Sequence, residues 1–206
     1  MKKKGFSLGL IVVIVVVAIL CAVGFSQYNS IVTMDEQVNT GWANVENQYQ
    51  RRLDLIPNLV ASVKGYAQHE QQTYVGLAEA RSGLQQAYDN AQSVNSETAP
   101  ADEASLQQFQ QAQQKLQSAL GIYVNAVHEA YPELKADKTF LDLMTQLEGT
   151  ENRIAAERTR YNELVNNYNI KVRRFPGAIF AGMFGFSTRA QFRAEAGAES
   201  APKVEF

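Results

Sequence analysis

Eighteen consecutive residues, Leu8 to Phe25, carry no charged, amide or hydroxyl side chain, and Met1-Lys2-Lys3-Lys4 stands just before them. At about 1.5 Å of rise per residue such a run makes a helix roughly 27 Å long, close to the ~30 Å hydrocarbon core of a bilayer. A membrane-spanning helix is therefore expected, in contact with lipid through residues 6–25. The three lysines lie at one end of it, and the next basic residue is Arg51. Positive flanks stay in the cytoplasm, so the N-terminus is expected inside and everything from Ser26 onward outside the membrane, as a single-pass protein.

Other N-terminal arrangements fit less of the pattern. A cleaved secretory signal has an apolar region of 7–15 residues ending in a small-x-small site, and only Ala22-Val23-Gly24 approximates one here. A lipid-attachment cysteine follows a small residue, whereas Leu20 precedes Cys21. Lys4-Gly5-Phe6-Ser7-Leu8 resembles the processing site of type IV prepilins, but Leu10 occupies the position of their helix glutamate. Cys21 is the only cysteine, so no disulfide forms within the chain, and it reads as a small packing residue.

Residues 1–27 are thus the anchor, and about 180 residues remain, enough for one domain with its own core. With the three N-terminal lysines set aside, 16 basic residues face 21 acidic ones, a formal net charge of −5. A surface of that sign excludes nucleic acid as a partner.

Apolar spacing alternating between three and four then runs through the rest of the chain, the signature of amphipathic helices. Val38, Trp42, Val45, Tyr49, Arg52, Ile56, Leu59, Val63, Tyr66 and Glu70 form the first stripe. Pro57 interrupts it, either as a kink or as the first turn of a second helix reaching Tyr88. An uninterrupted helix from Tyr28 to Tyr88 would be roughly 90 Å long and partly uncovered, so a hairpin at Pro57 is expected. Residues 89–102 are polar and without period, a loop. Asp102 and Glu103 suit the start of a third helix, with Leu106, Phe109, Gln113, Leu116, Leu120, Tyr123 and Val127 inward. Tyr131-Pro132 ends it, and Asp137 is the candidate cap of a fourth helix carrying Phe140, Met144, Leu147, Glu151, Ile154, Arg158, Tyr161, Val165, Tyr168 and Val172. The fold class that follows is all-α, a transmembrane helix and then an antiparallel up-and-down four-helix bundle of long helices, over residues 28–192.

After Phe175-Pro176-Gly177 the chain turns apolar on several sides through Phe186, too short to cross a membrane. Since the fourth helix returns toward the membrane, the segment near 175–192 either lies in the lipid interface or caps the open end of the core. Residues 193–206 read as a flexible tail, with Val204 and Phe206 placed to add a strand to a partner.

Arg51-Arg52-Leu53-Asp54-Leu55-Ile56-Pro57-Asn58-Leu59-Val60, then Val63-Lys64-Gly65-Tyr66-Ala67 and His69-Glu70, resemble the signature of the LemA family of bacterial membrane proteins. The likeness continues in Glu129 to Ala136, in Leu147 to Ile154, and through Arg158, Tyr161-Asn162, Tyr168-Asn169 and Phe175-Pro176 to Phe184-Gly185-Phe186. It covers about Tyr28 to Phe192 and implies an anchored four-helix bundle in the bacterial inner membrane, with no reaction attached.

The residues themselves point away from catalysis. His69-Glu70-Gln71-Gln72-Thr73 lacks the second histidine of a zincin helix, and neither His69 nor His128 follows a glutamate at di-iron spacing. No nucleophile elbow or phosphate-binding glycine loop occurs. No enzyme, metal or cofactor is expected. Arg52, Glu70, Glu151 and Arg158 instead interrupt apolar stripes, and buried charges need partners. The hairpin register sets Arg158 against Glu79 or Glu36. It also gathers Arg51, Asp54 and Asn58 with Tyr131, Glu133 and Lys135 at the end distal from the membrane, a candidate interaction surface. The expected role is a self-associating scaffold or interaction protein of the cell envelope, with a membrane protease or quality-control complex as a candidate partner. An extracytoplasmic sensor and a pilin-like filament subunit are the alternatives.

Overall fold

One helix carries both the apolar run and the first arm of the bundle. A computed structural model describes residues 8–67, 74–95, 99–100 and 102–193; the expectations placed on Lys2 to Lys4, His69, Glu70, Val204 and Phe206 lie outside them. Helix α1, Leu8–Ala67, runs for 60 residues, roughly 90 Å. Pro57 lies inside it, which overturns the expected hairpin. A proline in a helix interior forfeits one backbone hydrogen bond and crowds the turn before it, at about 3 kcal/mol. Here Leu53, Leu55, Ile56, Leu59 and Val63 are buried on both sides of the proline in one cluster, while the proline faces solvent. Several buried aliphatic side chains at about 1.5–3 kcal/mol each outweigh that cost. The concern over length also dissolves, because α1 stops at Ala67 and its first third is the apolar run.

Among the described residues four further helices follow: α2, Val75–Ser93; α3, Glu103–Ala130; α4, Lys138–Arg173; and α5, Gly177–Phe184, with a 3-10 turn Pro132–Ala136 between α3 and α4. Both expected caps form. The Asp102 carboxylate accepts from the Ser105 N–H at 2.7 Å, a bond that holds its pKa below the usual carboxylate range. Asp137 accepts from the Phe140 N–H at 2.9 Å. α1 lies along α4 and α2 along α3, so two helix pairs make the bundle. At the far end the Tyr66 hydroxyl donates to Glu133 Oε2 at 2.9 Å, and the rings of Tyr66 and Tyr74 meet the buried Tyr131 edge-on.

Among the described residues the core divides into two apolar clusters. The nearer to the apolar run holds Ile31, Val38, Trp42, Val45, Tyr49, Phe109, Ile154, Tyr161, Val165 and Tyr168. The farther holds Leu53, Leu59, Val63, Leu116, Tyr123, Val127, Phe140 and Leu147. Burial pushes the phenols of Tyr123 and Tyr161 up to about 12. The folded state therefore keeps these protons after the unfolded chain begins losing them near pH 10, and the stabilisation they provide is complete below pH 10 and lost as pH rises from 10 to 12. About 2–3 kcal/mol per tyrosine is at stake. Denaturant unfolding across pH 9–12 is expected to show this fall, and Tyr161→Phe to show a shallower one.

α5 ends at Gly185, whose φ of 77° is left-handed backbone suited to glycine. The chain then runs back along α4 as an extended strap, and this is where the repeated Tyr-Asn pair acts. Asn169 donates to the Arg189 carbonyl and accepts from the Arg189 N–H, both at 2.9 Å. Asn162 holds Phe192 in the same two-bond manner at 2.8 and 2.9 Å. Tyr161 and Tyr168 donate to the carbonyls of Ala190 and Ser187. Two residues seven apart lie on one helix face, so each pair reaches the strap from the same side. Asn162→Ala or Asn169→Ala should cost about 1–3 kcal/mol, and the double variant should open residues 186–193 to limited proteolysis while far-UV circular dichroism stays helical.

Candidate functional site: a polar layer between two cores

Arg52 on α1, Gln113 on α3 and Glu151 on α4 occupy the level between the two apolar clusters. Each stands where its stripe calls for an apolar side chain. The Arg52 residue is 1% exposed. Its Nη1 donates to Glu151 Oε1 at 2.9 Å, and its Nη2 donates to Gln113 Oε1 at 2.5 Å and to the Gln113 carbonyl at 3.3 Å. The guanidinium also lies 5.1 Å from the centre of the Tyr49 ring. Helical rise explains the meeting: Arg52 is 15 residues before the end of α1 and Glu151 is 13 residues into α4, both roughly 20 Å below the distal end. One cation thus ties three helices at one height. Arg52 Nε and Gln113 Nε2 are buried with no hydrogen-bond partner among the described residues. Such a layer costs stability relative to apolar side chains of the same shape, and it penalises any register in which the charges fail to meet.

Arg158 stands one further step down α4. Its guanidinium lies 4.7 Å over the Phe192 ring. Burial raises the pKa of the Tyr49 phenol, with Arg158 and then Arg52 opposing the shift. The expected pairing with Glu79 or Glu36 does not form. With α1 continuous to Ala67, Glu79 lies in the first turn or so of α2, near the distal end, while Arg158 is roughly 30 Å below that end. Glu36 is lower still and exposed. The expected gathering of Arg51, Asp54 and Asn58 with Tyr131 and Lys135 fails for the same reason. Those three are exposed on α1, with Asp54 accepting from Gln50 at 2.8 Å and Asn58 donating to the Asp54 carbonyl at 3.2 Å. Tyr131 is buried beneath Tyr66 and Tyr74, and Lys135 is exposed.

Between α3 and α4, beside the polar layer, opens a cleft of about 490 Å³ lined by Tyr49, Arg52, Glu151 and Arg158 and by a row of α3 glutamines including Gln110 and Gln114. This set can hold a polar or acidic group. Among the described residues no three or more His, Cys, Asp or Glu side chains converge to hold a metal ion. Sequence reasoning missed Gln113 as the third member of the layer and missed the strap altogether. The seven-residue repeat of Tyr-Asn was the available signal for the strap.

A sequence profile described as the LemA family matches residues 41–206. The magnetosome proteins MamQ 1 and MamQ 2 of Paramagnetospirillum magneticum are each 28% identical to this chain over 213 residues, covering 93% of it and 75% of their own length. MamQ of Magnetospirillum gryphiswaldense is 27% identical over 177 residues, covering 78% of this chain and 62% of its own.

Proposed function

We propose that this chain, which belongs to the LemA family, is a non-enzymatic, membrane-anchored scaffold or interaction protein of the bacterial cell envelope. α1 crosses the inner membrane with its N-terminus in the cytoplasm, and the bundle stands outside. The observation that carries this reading is the unbroken α1: one helix is both the apolar run and the bundle's first arm, so the bundle is held at a set distance from the membrane. The Arg52–Gln113–Glu151 layer supports it, because the Arg52 cation is engaged by Glu151 and Gln113 across three helices. The MamQ relatives are named as magnetosome proteins, and no reaction is part of that name.

The contact face is the outer side of the α2–α3 pair. A groove of about 760 Å³ runs between α2 and α3 there, edged by the exposed Val75 and Ile122. Anchored molecules meet in two dimensions, so a modest interface of this kind suffices for a second copy or a membrane protease. A photo-crosslinker at Ile122 in intact membranes should capture one of those two, identified by mass. Capture no greater than from a crosslinker at the exposed Thr159 on α4 would contradict the reading.

The cleft beside Arg158 favours a second reading, an extracytoplasmic sensor that signals through a partner. On that reading small dicarboxylates raise the unfolding temperature, and Arg158→Gln abolishes the effect.

A further inference from the structure

We infer that α5 and the basic turn before it form a foot that lies in the interface of a bilayer rich in anionic phospholipid. The inference rests on α1 spanning that bilayer. Depth comes first. Phe180 packs on Gly24, where an added Cβ would stand 3.1 Å from the Phe180 ring, and Tyr28 meets Phe184 edge-on at 4.8 Å. Gly24 is the next-to-last residue of the apolar run, so α5 is held at the level where hydrocarbon gives way to headgroups, the depth at which aromatic side chains collect.

α5 presents two unlike sides. Gly177 and Ala181 are buried, whereas Ile179 is 54% exposed and Met183 70%, one turn apart on the opposite side. Phe175, two residues before α5, and Phe25, next to Gly24 in the chain, are 77% and 72% exposed. This patch is continuous with the lipid-facing surface of α1, which marks lipid as what covers it.

Charge identifies the lipid. From Leu164 to Arg193 the chain holds five basic residues and no acidic one, in a protein of net charge −2. Arg189 pairs with Asp35 and Arg193 with Glu103. Among the described residues no salt bridge engages Lys171, Arg173 or Arg174. Two of these, Lys171 and Arg174, line a groove of about 490 Å³ between α1 and α4, whose lining includes Gln27 and Phe175 but no carboxylate. Complementing the C-terminal dipole of α4 accounts for cations at that position. It does not account for the bare apolar face beside them, which an anionic bilayer surface covers together with the cations.

The test uses the full chain, with Cys21→Ala, in phosphatidylcholine vesicles with and without phosphatidylglycerol. An environment-sensitive fluorophore is placed singly at Val16, Ile179 or Ala155, and lipids carrying shallow or deep quenchers are added. The Val16 fluorophore should be quenched by the deep lipid, the Ile179 fluorophore by the shallow lipid more strongly with phosphatidylglycerol present, and the Ala155 fluorophore by neither. Substituting Lys171, Arg173 and Arg174 by glutamine should lower the embedded-to-exposed ratio at Ile179 about fivefold per cation, the ~1 kcal/mol each contributes near an anionic surface. An Ile179 fluorophore that stays in water, or is shielded but unquenched by either lipid as under a second copy, overturns the inference while leaving the span intact. A Val16 fluorophore beyond the deep quencher overturns the span and the foot together. Indifference to phosphatidylglycerol overturns the assignment of the lipid.

Discussion

Arg52→Ala is expected to destabilise the bundle by about 3 kcal/mol, the low end for removing one partner from a buried ion pair, because the Glu151 side chain is 31% exposed and regains part of its hydration. The variant strips Glu151 of its cation, leaves the Gln113 side chain without the donor it accepts from, and opens a hole between the two apolar clusters. The companion variant is more diagnostic. Arg52→Met, Gln113→Leu and Glu151→Met together replace the layer with apolar volume and should leave stability unchanged or raise it. Chemical denaturation in detergent, followed by circular dichroism, reads both. If the triple variant is stable and keeps one well-dispersed NMR spectrum, the layer is dispensable for register. If it is stable but populates several packings, register is what the three polar side chains provide.

Trp42→Ala should cost about 3–5 kcal/mol, through packing rather than charge. Trp42 is 1% exposed and stands at the meeting point of three elements: its ring is edge-on to Phe109 of α3 at 5.1 Å and to Tyr161 of α4 at 5.7 Å, and stacks on Phe192 of the strap at 6.0 Å. Removing it therefore loosens the strap as well as the core, and residues 186–193 should become protease-sensitive at temperatures where α4 is still folded. It is the only tryptophan, so circular dichroism has to follow the unfolding of this variant, while its fluorescence serves all the others.

The fold was legible wherever a single helix decides its own inward face. The stripes through Val38, Trp42 and Tyr49, through Leu106 to Val127 and through Phe140 to Val172 are buried largely as their spacing requires, and Asp102 and Asp137 cap as their side chains allow. Legibility failed where two elements have to be weighed against each other. Pro57 carries a strong local penalty, and only the apolar packing on both sides of it shows that the penalty is outweighed. α1 ends at Ala67 and α2 begins at Val75, and the sequence between them holds no proline or glycine to announce a change of helix. That one displacement moved α2 and with it every partner assigned across the bundle. Arg52 and Glu151 stand level because both belong to the pair α1 and α4, whereas the match of Arg158 to Glu79 depends on where α2 begins. The strap escaped notice because an extended segment held by side-chain amides leaves no apolar period to read.

An electron-spin distance measurement tests most directly whether α1 is a single rod from the apolar run to Ala67. With Cys21→Ala, spin labels go on Ala43 and Lys64, both exposed on α1 and either side of Pro57, in the full chain reconstituted into lipid nanodiscs. An unbroken helix separates these positions by 21 residues and predicts a narrow distribution near about 32 Å. A chain folded back at Pro57 would instead bring them to roughly 15 Å, and a peak there would contradict the continuous rod and the bundle register built on it.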